Sequence, residues 1–69
     1  MTEIVFLVEE DPGGGYTAAA LGESVVTQAD KLEELRERVR DAVRCHFPEE
    51  QSRPKLIRLH FVRDEVFAA

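Results

Sequence analysis

Two imidazoles, His46 and His60, and one thiol, Cys45, are the side chains of this sequence best suited to nucleophilic or metal chemistry. A reactive thiolate needs a base within hydrogen-bond reach and a positive local field. His46 follows Cys45 directly, and successive side chains on a helix diverge by about 100°, so the two do not form a dyad. Zinc asks for four ligands, and three nitrogen or sulfur donors fall short unless carboxylates or a second subunit join them. Cys45 is therefore read as a small apolar filler. His46, at the core edge of a helix, and His60, on the less apolar side of a strand, are read as structural or interface residues. A hydrolase built on Cys45 or His46 is the enzymatic rival. It lacks a Ser, Asp or Lys placed to complete a mechanism.

The remaining motifs also have plain readings. Glu9, Glu10 and Asp11 with Asp30 bring carboxylates suited to a divalent cation, but adjacent acids at a loop tip repel one another and stay hydrated. Gly13-Gly14-Gly15 leads into Tyr16 and a strand, not into a helix N-terminus with a nearby Lys, so it is a hairpin turn rather than a phosphate cradle. Arg36, Arg40 and Arg44 make an i, i+4, i+8 row that suits a phosphate backbone. Glu33, Glu37 and Asp41 each stand three residues before one of them, which favours a solvated, ion-paired face. The chain is accordingly expected to be a non-enzyme with no catalytic residue, no metal and no cofactor.

The elements that position these residues must fit in 69 residues, with 14 acidic and 9 basic side chains and a net charge of -5. One domain, residues 1–69, is expected. A chain this short buries only about 60% of its unfolded surface, so self-association is an economical supplement to its core. With 43% apolar and 33% charged residues, it lies in the globular range. The negative balance opposes attraction to nucleic acid and to anionic lipid. The longest apolar run, Ile4 to Val8, is far short of the ~20 residues of a spanning helix. With a lone cysteine and no leader pattern at the N-terminus, the expected compartment is the cytoplasm.

Ile4, Phe6 and Val8 alternate with Val5 and Leu7, so strand one, Glu3 to Glu9, is apolar on both faces and belongs inside a sheet. Asp11 to Gly15 turns the chain into strand two, Tyr16 to Leu21, whose alanines would let a helix approach closely. Gly22-Glu23-Ser24 reverses it again into a short strand three, Val25 to Gln28. Asp30 is expected to cap a helix, with Glu33 completing a capping-box-like arrangement, and Pro48 ends it after Phe47. Leu32, Leu35, Val39, Ala42, Val43, His46 and Phe47 form its apolar stripe. Strand four, Leu56 to Val62, alternates Ile57, Leu59 and Phe61 against Arg58, His60 and Val62. The helix crossover makes strand four parallel to strand one and places it alongside. The fold class is α+β, βββαβ, with a four-stranded mixed sheet in the order 3-2-1-4 and one helix on one face.

This arrangement, with Thr27-Gln28-Ala29-Asp30-Lys31-Leu32-Glu33-Glu34-Leu35 stepping into a helix that ends at Phe47, resembles the N-terminal domain of HicB-like antitoxins over residues 3 to 62. The resemblance implies a partial ribonuclease-H-like fold that oligomerises and that binds and masks a small RNA-cleaving toxin. It carries no nuclease activity across, because strand one holds no carboxylate between Ile4 and Val8. Members commonly continue into a DNA-binding module; this sequence ends at Ala69, so no direct DNA binding is expected, and no membrane association.

An outer strand that displays apolar side chains pairs with another chain unless something covers it. Arg58, His60 and Val62 on strand four, with Val66 and Phe67 beyond it, are therefore the interaction candidates. The expected partners are further copies of this chain, as a homodimer or higher homo-oligomer, and a small basic toxin drawn to the acidic surface. The alternative from another class is a stand-alone regulatory or ligand-binding oligomeric subunit with a cleft near Arg58 and His60.

Overall fold

The computed structural model describes residues 2–69. Five elements follow one another: β1 (Glu3–Glu10), β2 (Tyr16–Ala20), β3 (Val26–Ala29), α1 (Leu32–His46) and β4 (Leu56–Val62). They form one sheet in the order β3-β2-β1-β4. β1 runs antiparallel to β2 and parallel to β4, and β2 runs antiparallel to β3. This is the α+β topology that the alternation of β1 and the helical crossover imply.

The Asp11–Gly15 connection closes as a hairpin: Gly14 N–H donates to the Asp11 carbonyl and Asp11 N–H to that of Gly15, both at 2.9 Å. Gly14 and Gly15 adopt φ of 97° and 92°, a region that costs side-chain-bearing residues strain. β3 lies one residue later than the Val25 to Gln28 expected, because Ala29 pairs with Tyr16 and keeps the backbone extended. That pairing also delays the helix. Asp30 does not cap it: Lys31 is the N-cap, with no side-chain cap bond among the described residues, and its carbonyl accepts the first helical bond from Leu35 N–H at 2.9 Å. The far end agrees with expectation to within a residue. Phe47 N–H donates to the Val43 carbonyl, and Pro48, with no N–H, cannot extend the ladder. Arg53 Nε then donates to the Phe47 carbonyl at 3.0 Å and holds the connection to β4 against the helix end.

Ile4, Phe6 and Val8 of β1 and Leu35, Val39 and Val43 of α1 are all buried, together with Ala18, Val25 and Ala29. The helix lies closest to β3 and β2. The small side chains of Ala18 and Ala29 permit this approach, since close-packed interiors draw a helix toward whichever strands occupy least volume. The displacement leaves the β4 side of the same face only partly covered: Ile57 and Leu59 are half-buried and Phe61 is 48% exposed. No helix of the described residues is long and apolar enough to cross a membrane.

Candidate functional site

β4 hydrogen-bonds to β1 alone, so its outer edge has no strand partner among the described residues. Its two side-chain rows face opposite ways because the strand period is two. Ile57, Leu59 and Phe61 pair with Ile4, Phe6 and Val8 and share the helix side. Arg58, His60 and Val62 pair with Val5, Leu7 and Glu9 on the side that no element covers. All three are exposed. Val5 and Leu7 beside them are only half-buried, so the open side of the sheet has an apolar centre.

Arg58 is not idle. Its Nε donates to Glu3 Oε1 at 2.6 Å and its Nη2 to Glu3 Oε2 at 3.2 Å. These bonds, with the attraction between the charges, lower the Glu3 pKa below its ordinary 4.5 and raise that of Arg58. The fork ties the first residue of β1 to the middle of β4. Val66 and Phe67 stand apart from this face, on a segment that leaves β4 and is 94% and 82% exposed at those two positions. The structure therefore brings Arg58, His60 and Val62 together and sets Val66 and Phe67 elsewhere.

The residues that the sequence made chemically interesting are dispersed. Cys45 is exposed rather than a core filler, which corrects its expected role. His46 is exposed too and bonds through Nε2 to Glu23 Oε2 at 3.2 Å, fixing the β2–β3 turn to the helix end. Of the three ion pairs expected along the helix, only Asp41 with Arg44 forms, at 3.3 Å, while Glu34 pairs with Arg38 instead. Among the described residues, Arg36 and Arg40 have no carboxylate partner.

Those two arginines border the partly covered part of the sheet. With Val39 they wall a groove of about 300 Å³ floored by Ile57, Leu59 and Phe61. The groove continues past Arg40 and Ile57 toward Arg44 and Lys55. Sequence reasoning set out each component separately, the arginine row and the apolar side of strand four, but did not join them. The alanines of β2, which move the helix off β4, were the available signal. At the opposite end of β1 the balance is acidic: Glu9, Glu10 and Asp11 lie beside Val62, Arg63 and Asp64 around a shallow recess.

No family model matches the chain, and no solved structure matches it. A UPF0150 protein of Archaeoglobus fulgidus is 64% identical over 53 residues, 77% of this chain and 77% of the relative. A UPF0150 protein of Thermotoga maritima is 44% identical over 66 residues, covering 96% and 91% of the two chains.

Proposed function

We propose a function for this chain, which belongs to the UPF0150 family: it is a non-enzymatic, homo-oligomeric interaction module of the HicB-like antitoxin type. It acts in the cytoplasm by binding and masking a small basic RNA-cleaving toxin. The observation that carries this reading is the bare margin of β4. An unpaired edge with exposed Leu56, Arg58, His60 and Val62 is a surface that another polypeptide completes. The net charge of -5 and the acidic end at Glu9, Glu10 and Asp11 suit a basic partner, because complementary charge speeds and orients encounter.

Co-expression tests it. The tagged chain is produced with any short basic protein encoded next to it, the pair is purified, and growth arrest by the basic protein is scored with and without the chain. Retention of the partner and rescue of growth are expected. A partner that is never retained, with growth never rescued, overturns the antitoxin reading. A co-purified metabolite in its place supports a ligand-binding subunit.

A further inference from the structure

The groove between α1 and β4 is apolar below and basic at its wall, in a molecule that is acidic overall. Arg36 and Arg40, the wall cations, have no carboxylate partner among the described residues. An occupant must therefore carry both apolar side chains and negative charge within a short extended stretch. Asp64-Glu65-Val66-Phe67, beyond the end of β4, is such a stretch, and its two apolar side chains are exposed, unlike those of the acidic and apolar run in β1, where Ile4, Phe6 and Val8 are buried.

We propose that residues 64–67 of one copy seat in the groove between α1 and β4 of a second copy, Val66 and Phe67 filling its apolar interior and Asp64 and Glu65 meeting Arg36 and Arg40. This rests on the self-association part of the function proposed above and specifies how the copies join.

Length fits. Ile57 to Phe61 covers about 13 Å of strand, and four extended residues reach about the same distance. Position fits a second copy. The segment that follows β4 contains neither Gly nor Pro from Val62 to Phe67, so no turn chemistry returns it to its own groove. The molecule measures 51 × 20 × 18 Å, and the apolar pair at 66 and 67 stands almost fully in solvent. A twofold axis would let each copy give its arm and receive its partner's, so one exchange fills both grooves and leaves no free end to propagate. A standard interface takes roughly 800 Å² from each partner, which is a modest share of the 5500 Å² each chain exposes.

Light scattering during size exclusion tests this on the full chain. The unaltered protein is expected at twice its 7.8 kDa. The double variant Val66→Asp, Phe67→Asp changes only side chains that are exposed in the single copy, so it is expected to keep its circular dichroism spectrum and run as a monomer. Arg36→Glu with Arg40→Glu, and separately Asp64→Lys with Glu65→Lys, are each expected to dissociate at least tenfold more readily than the unaltered protein, because like charges then face one another. Mixing these two variants is expected to restore the dimer, since each arm then meets a groove of opposite sign.

An unaltered protein that is monomeric overturns the proposal and the self-association reading with it. A dimer that survives Val66→Asp, Phe67→Asp overturns the arm exchange and leaves the wider reading intact. Restoration only when all four charge reversals sit in one chain, and not on mixing, means the arm folds onto its own groove and also overturns it. Retention of RNA by the unaltered protein, lost with the arginine reversals and never restored by the arm reversals, assigns the groove to nucleic acid and overturns it as well.

Discussion

Glu3 and Arg58 lie 55 residues apart in sequence, yet they form the tightest side-chain contact of the sheet, Arg58 Nε donating to Glu3 Oε1 at 2.6 Å. They reach each other because Arg58 sits opposite Val5 in the parallel ladder, one pleat along from Glu3 on the same open side. The fork thus reports on whether β1 and β4 are correctly aligned.

Its first consequence is a pH dependence. The folded-state pKa of Glu3 lies below the ordinary 4.5 because of the Arg58 bonds. The contribution of the pair is therefore present above 4.5 and fades as pH falls through the lowered folded value. A carboxyl-detected NMR titration is expected to place Glu3 below 4.5 and to return it toward 4.5 in Arg58→Gln. A Glu3 midpoint unmoved by that substitution would show that the fork does not persist in solution.

Ala18 is fully buried beneath the helix, so enlarging it tests why α1 lies over β2 and β3. Ala18→Leu is expected to destabilise the domain by about 1–3 kcal/mol in urea unfolding, the usual cost of overpacking. A neutral result would mean the helix does not depend on that small side chain for its position.

Neighbouring glycines of the first hairpin separate backbone strain from simple entropy. A Cβ at Gly15, where φ is +92°, would come 3.2 Å from the Ala29 carbonyl oxygen. A Cβ at Gly13 would meet no atom within 4 Å beyond its chain neighbours, and Gly13 has no positive φ. Gly15→Ala is expected to cost about 1 kcal/mol or more, while Gly13→Ala is expected to stabilise by about 0.4–1 kcal/mol through the unfolded chain. Equal effects at both positions in thermal unfolding would contradict the turn geometry.

Cys45 is exposed, so a thiol reagent is expected to modify it in the native protein at nearly the rate seen in urea. Cys45→Ser is expected to change stability by no more than about 0.5 kcal/mol. Slow native labelling would instead place the thiol inside an interface between copies.

Asp30 gives the complementary test at the other end of the helix. A true N-cap aspartate replaced by Ala costs typically ~1 kcal/mol. Lys31 occupies the N-cap position here, and Asp30→Ala is expected to fall within about 0.5 kcal/mol of the unaltered protein.

Much of the fold was legible because the patterns were local. Apolar residues on both sides of β1 could only mean an interior strand, and an amphipathic helix between β3 and β4 required a parallel return beside β1. The stripe of Leu35, Val39 and Val43 placed the helix face correctly. Cys45 was misjudged, although it lies two residues, about 200°, beyond Val43 and so points away from the core.

What the sequence by itself determined was therefore the set of elements, their order in the sheet and the exposed character of Arg58, His60, Val62, Val66 and Phe67. Tertiary structure alone decided three things: which carboxylate each arginine meets, where the helix begins, and which part of the sheet it leaves partly uncovered. The last depends on how far α1 moves toward the alanines of β2 and β3. That distance is set by side-chain volumes packing across elements, a quantity no periodicity along the chain records.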